Sequence, residues 1–296
     1  MKKYRLLVTC IIAMGIIIIG TSNPVTNFYK TTNLINSGTT KNEKTDKDKD
    51  KDENKNIKDK DENKSNSKSK NDNKSEDNKS DSKTETQKNK KFLICIDPGH
   101  QGKGDSNLEP VAPGSSSQKA RVSSGTEGIA TKKAEYVLNL EASVVLKNIL
   151  ESKGYNVIMT RETHDVNISN SERAILANEK KADMVVRIHA DSLNNSSKTG
   201  ASILVPEKDG KYTAPIYEDS NRCAEFIKTN MEQAGIQING IVQRGDLTGF
   251  NWSKVPAVLV EMGFMSNYNE DQMMSNPEYQ RKMMQCVADG LDEYFK

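Results

Sequence analysis

Cysteine is too sparse in this chain to build a disulfide framework. Of the four, Cys10 lies in an apolar run near the N-terminus, which leaves Cys95, Cys223 and Cys286 with no two close in sequence. That spacing excludes a cysteine zinc knuckle, and the three read as core thiols. Histidine is scarcer, with three in 296 residues, and no His-Glu-x-x-His pair occurs, so the helical metalloprotease motif is absent. The longest apolar run falls short of the roughly 20 residues that a membrane-spanning helix requires. No internal repeat is present.

Charge and hydropathy divide the chain into three parts. Lys2, Lys3 and Arg5 precede an apolar stretch from Leu6 to Gly20, the order of an export signal. Residues 1–22 are expected to be a signal peptide or, if uncleaved, a signal anchor, because Ile19-Gly20-Thr21-Ser22 offers small residues but no clean Ala-x-Ala site. Residues 23–91 are expected to be a disordered charged linker. From Lys41 to Lys91, 31 of 51 residues are charged, and so little apolar surface cannot offset the entropy of ordering the backbone.

The formal net charge of +2 hides an asymmetry: the first 40 residues carry +4, the segment 41–91 carries +3, and the remainder carries −5. An acidic folded part, and a linker of interleaved charges without stacking aromatics, argue against nucleic acid as a partner. The basic N-terminal segment offers contact with a membrane, and the basic excess of the linker with anionic wall polymers. The expected location is therefore secreted or membrane-anchored, outside the cytoplasmic membrane.

Residues 92–296 are enough for a single α/β domain. Apolar periodicity predicts strands at 92–96, 156–160, 184–190, 201–205 and 257–261, and helices at 132–155, 169–181, 217–234 and 277–294. The stretch 102–131, rich in Gly, Ser and Pro, predicts no regular element. Because it begins after His100 and ends before Glu135, it is expected to border any site those residues form.

Four side chains occupy unusual places. His100 follows Asp97-Pro98-Gly99 at the end of one buried strand and His189 closes another, where open α/β sheets gather their ligands. At about 100° per residue Glu135 falls on the stripe of Leu138, Ala142, Val145, Leu146 and Ile149. A carboxylate there needs a cation, either a metal or a helix-terminal or salt-bridge partner. Glu261 interrupts the core-like run from Pro256 to Phe264, so it must be neutral with a raised pKa, or face a cation or a proton-transfer partner. A catalytic zinc takes about three nitrogen or oxygen ligands and keeps one position open, which these residues can supply.

Read in order, Cys95-Ile-Asp-Pro-Gly-His100, Glu135 with Asn139-Leu140, Thr160-Arg161, Arg173 with Ala177-Asn178, Ile188-His189-Ala190, and Pro256 to Phe264 with Ser266-Asn267 form an ordered set. It resembles the zinc-dependent N-acetylmuramoyl-L-alanine amidases of the type 3 family, over nearly all of 92–296. The resemblance implies a twisted mixed sheet flanked by helices, with Zn2+ held by His100, Glu135 and His189, and Glu261 as catalytic acid/base. It also implies peptidoglycan as the partner, cut at the amide between N-acetylmuramic acid and L-alanine.

The chain departs from the family pattern in a longer connection between His100 and Glu135, and in Tyr136 where lysine is common. His164 matches no ligand position and reads as a surface residue, while Arg173 and Asn178 read as pins between helix and sheet. A peptidase acting within the stem, a glycosidase using Glu135 and Glu261, and a wall-binding module without activity are the competing classes. The glycosidase leaves both histidines unexplained, and the binding module leaves a filled set of catalytic positions without use.

Overall fold

A computed structural model of the chain describes residues 92–296. The expected export segment 1–22 and linker 23–91 lie outside the described residues. No helix among the described residues is long and apolar enough to cross a membrane.

Eight strands and six helices follow in the order β1 (Leu93–Pro98), β2 (Asp105–Pro110), β3 (Gln118–Val122), α1 (Glu135–Ser152), β4 (Asn156–Met159), α2 (Asn170–Glu179), β5 (Met184–Asp191), β6 (Ala201–Pro206), α3 (Ala214–Gln233), β7 (Ile238–Arg244), α4 (Thr248–Asn251), β8 (Ala257–Phe264), α5 (Tyr268–Met274) and α6 (Pro277–Phe295). Six strands form one sheet in the order β4-β1-β5-β8-β6-β7. Neighbours run parallel except β6 and β8, which are antiparallel. The sheet is mixed and flanked by helices, as expected.

The period-two alternation of strands separates the sheet into two unlike faces. Ile94, Ile96, Val186, Ile188, Val258 and Val260 face the main core with α1, α3 and α6. Cys95, Val185, Leu204 and Leu259 face a smaller core that includes Ala177 of α2 and Phe250 of α4. Continuing each strand two residues at a time puts Asp97, Arg187, His189 and Glu261 on this second face, at the carboxyl ends of parallel strands. The three cysteines among the described residues are buried and free, and burial pushes the Cys95 thiol up to about 12, which keeps it inert.

Residues 102–131 are not irregular throughout, contrary to expectation. β2 and β3 pair as an antiparallel hairpin with a register shift between Asp105 and Leu108. Their sequences are polar, so no apolar alternation marks them, and tertiary bonds hold them instead. The Trp252 indole N–H donates to the Pro110 carbonyl at 2.9 Å, Asn251 donates to the Val111 carbonyl at 3.1 Å, and Glu109 accepts from Ser171 at the start of α2. α1 begins three residues later than its periodicity predicts. Ala134 pairs with Glu127 in an isolated bridge, and the Glu135 N–H donates to the Thr126 carbonyl at 2.8 Å.

The end of β1 is held by an unusual density of buried charge. His100 has φ +59, in the left-handed region, which costs a non-glycine residue about 1–3 kcal/mol unless its surroundings impose it. Arg161 donates to the carbonyls of Pro98 (3.0 Å) and Gly99 (2.9 Å), and Arg173 to those of Pro98 (2.8 Å) and His100 (3.0 Å). Asp97 in turn accepts from Arg173, Arg187 and the Thr160 hydroxyl, at 2.8, 2.8 and 2.6 Å. Burial opposes ionisation of Asp97, but Arg173, Arg187 and Thr160 outweigh it and hold the carboxyl well below its usual range.

Asp97→Asn should therefore cost about 3–5 kcal/mol in urea unfolding at pH 7, because it strands buried guanidinium groups. A group whose folded pKa is depressed stabilises fully above its unfolded value, roughly 4, and loses that contribution as pH falls. Wild-type and variant stabilities should converge on acidification. A cost below about 1 kcal/mol, the worth of a surface pair, would show that this carboxylate does not anchor the turn.

Candidate metal centre

Three elements bring the candidate ligands together. His100 comes from the turn after β1, His189 from β5 on the smaller face, and Glu135 from the first position of α1. The helix packs on the other face and reaches the sheet's carboxyl edge at its N-terminus. Glu135 Oε1 lies 3.1 Å from His100 Nε2 and 3.2 Å from His189 Nδ1. One ligand atom from each of the three residues falls within 4.8 Å of the others. The imidazoles meet edge to face, with ring centroids 4.8 Å apart.

A second layer of contacts orients these groups. His100 Nδ1 lies 3.0 Å from the Ser123 carbonyl and 2.9 Å from its hydroxyl, an arrangement that turns Nε2 towards Glu135. Oε1 of Glu135 accepts from the Asn139 amide at 3.1 Å and the Ala190 N–H at 3.3 Å, and Oε2 from the Thr126 N–H at 3.1 Å. Backbone approaches closely on both sides. A Cβ on Gly99 would stand 2.2 Å from the His189 ring, and one on Gly125 would stand 2.6 Å from Glu135 Oε2.

Burial opposes the charge of Glu135, but hydrogen bonds to His100 and His189 prevail and hold its carboxyl well below the usual range. Burial lowers His189 to about 4 against the pull of Glu135, so its imidazole is neutral at pH 7, the state that donates a lone pair to a metal. Two imidazoles and a carboxylate form a donor set that suits a catalytic divalent ion. The shielded His189 Nε2 has no hydrogen-bond partner in the protein, which normally costs about 1–3 kcal/mol. The residues present thus fit a metal ion.

Glu261 pairs with His189 in the β5–β8 register. Its Oε2 is likewise shielded and without a protein partner. Burial, then repulsion from Glu135 and Asp191, raises its pKa well above the ordinary carboxylate range. It lines a cleft of about 230 Å³ together with His100 and His189.

Arg173 pins α2 to the end of β1 as expected, whereas Asn178 does not reach the sheet. It bonds the Trp252 carbonyl and the Lys254 N–H, beyond α4. His164 stands apart from the metal group and is half-buried, edge-on to Tyr136 with centroids 5.1 Å apart. Sequence reasoning missed Ser123, whose contact depends on the hairpin, and the cleft residues Lys119 and Arg244. It also missed Arg187, although a charge inside the apolar run Met184–Ile188 was a visible signal.

A family model described as N-acetylmuramoyl-L-alanine amidase matches residues 94–293. A relative in Staphylococcus saprophyticus, described as a probable cell wall amidase, LytH, is 27% identical over 207 residues. That match covers 70% of this chain and 59% of the relative, so the chain spans about three fifths of the curated protein's length. Among solved structures, the apo N-acetylmuramyl-L-alanine amidase Ami1 of Mycobacterium abscessus superposes with TM-score 0.63 at 27% identity, covering 69% of this chain and 99% of Ami1. An N-acetylmuramoyl-L-alanine amidase from Clostridium difficile 630 does so with TM-score 0.56 at 26% identity, covering 69% of this chain and 97% of that one.

Gly125 has φ +81 and no room for a side chain beside Glu135 and His100. Gly125→Ala should weaken metal affinity by about 10–100-fold, the usual effect of disturbing groups that orient ligands. Competition with a chelator reads the affinity, and circular dichroism reads retention of the fold. Wild-type affinity in a folded variant would contradict the close approach described here.

Proposed function

Because this chain belongs to the N-acetylmuramoyl-L-alanine amidase family, we propose that it hydrolyses the amide bond between N-acetylmuramic acid and L-alanine in bacterial peptidoglycan. In this reading Zn2+ is held by His100, Glu135 and His189, and Glu261 is the catalytic acid/base. The observation that carries it is the convergence of two imidazoles and a carboxylate within 4.8 Å, beside a second carboxylate whose shielded Oε2 has no protein partner and which lines the same cleft.

When bound, the ion supplies Lewis acidity, making a water molecule easier to deprotonate and polarising the scissile carbonyl. Glu261 Oε2 is shielded and unpartnered, so it is available to take a proton from the attacking water. The same carboxyl then delivers that proton to the departing L-alanine amine. One water is consumed, the lactyl group leaves as a carboxylate, and the stem peptide leaves with a free amino group. Asn139, Thr126 and Ala190 hold the Glu135 carboxylate in place by hydrogen bonds, and Ser123 fixes the ring of His100.

The same reading assigns 92–296 as the catalytic domain, 23–91 as a tether and 1–22 as an export signal or anchor. Action is then outside the cytoplasmic membrane, at the wall. The composition of each segment supports this division.

Mass analysis of peptidoglycan products tests the reaction. Amidase action creates free L-alanine amino groups without new reducing ends, a glycosidase does the reverse, and a binding module creates neither. Glu261→Gln at matched zinc content should retain the metal and lose about 10²–10⁴-fold in turnover, the usual worth of a positioned acid/base. Retained turnover would refute the role given to Glu261.

A further inference from the structure

The cleft beside the metal group carries positive charge that the proton transfers do not use. Besides His100, His189 and Glu261 it is lined by Lys119, Arg187 and Arg244, with Asp246 the one other carboxylate. The folded part of the chain is acidic overall, so cations gathered in this cleft run against the charge of the rest.

Arg244, at the end of β7, is held by Asp246 through two parallel bonds, Nε to Oδ1 at 2.7 Å and Nη2 to Oδ2 at 2.8 Å. Lys119 of the β2–β3 hairpin donates from Nζ to the Asp246 carbonyl at 2.7 Å. The three residues form a hydrogen-bonded group at the mouth of the cleft with one net positive charge. Asp246 occupies one edge of the guanidinium fork, and the Nη1 edge keeps its donors for another acceptor. Arg244 lines the same cleft as Glu261, His100 and His189, which places its guanidinium beside the reacting end.

Arg187 adds to this field from below. It is 6% exposed, and it donates from Nε to Asp97 at 2.8 Å and from Nη2 to Asn170 at 3.4 Å. Its Nη1 fills the space at Gly249 where a Cβ would stand, only 2.3 Å away. Gly249 is itself part of the cleft wall.

A guanidinium held along one edge, in a cleft with surplus positive charge, recognises a carboxylate. In the substrate of the amidase reading, the muramoyl lactyl group is in amide linkage and carries no charge. The free carboxylates belong to the stem peptide. We propose that Arg244 anchors a free carboxylate on the residue following L-alanine, with Arg187 and Lys119 contributing field, so that the enzyme prefers stems whose second residue is unamidated. The inference rests on the amidase reading.

Two muramoyl peptides that differ only in a free or amidated α-carboxyl on the second residue test it, with the zinc-loaded full chain. The ratio of kcat/KM should favour the free acid by about tenfold, as expected for a hydrogen bond to a charged group. Arg244→Gln should bring the ratio close to one, and Arg244→Lys should restore part of it. A wild type without preference overturns the proposal, as does an Arg244→Gln variant that keeps the wild-type ratio even if both rates fall. Calorimetric binding of the two peptides to the Glu261→Gln chain reads the same preference without turnover. Preferential binding of the free acid, together with a zinc-loaded wild type that cleaves neither peptide, would sink the amidase reading and leave the subsite standing. Equal binding would sink the subsite.

Discussion

The buried carboxylate of Asp97 gathers Arg173 and Arg187 at the carboxyl end of the sheet, and Arg173 joins Arg161 in gripping the carbonyls of the turn that carries His100. Without that grip a histidine in the left-handed region would relax to an ordinary backbone and swing its ring away from Glu135. Backbone strain at His100 is thus set against charge-assisted hydrogen bonds, and each of those is worth more in a dry interior than in water. One buried acid thereby connects the stability of the fold to the geometry of the site. Arg187 extends the same connection to the cleft wall.

The unlike faces of the sheet explain how the site can be both supported and open. The larger face carries the three long helices and most of the apolar core. The smaller face, covered by short elements, leaves room at its carboxyl edge for His189, Glu261 and a cleft. Glu135 belongs to the larger face by its helix and to the site by its position at the helix start. A carboxylate at that point lets the helix reach over the edge and bridge two histidines presented from the other side.

The central strands, the long helices and the four candidate site positions were legible because each left a mark on the sequence. Apolar runs marked β1, β5 and β8, a carboxylate on an apolar stripe marked Glu135, and an acid inside a core-like strand marked Glu261. The hairpin and β7 left no such mark. The hairpin strands are polar, β7 is a half-exposed edge strand interrupted by Gly240, and tertiary bonds rather than local pattern hold the hairpin. Ser123 and Arg244 belong to those segments, so their contacts with His100 and the cleft could not be read before the fold was known. Asn178 was read as a pin, but its partners lie beyond α4, a loop contact that periodicity does not encode.

Site and cleft together describe a centre that needs nitrogen and oxygen ligands and leaves the buried thiols aside. X-ray absorption at the zinc edge, on the full chain loaded with one equivalent of the metal, tests this most directly. The account predicts nitrogen and oxygen neighbours at about 2.0–2.2 Å, with imidazole scattering from two histidines. A sulfur neighbour at about 2.3 Å, or fewer than two imidazoles around the ion, would contradict it.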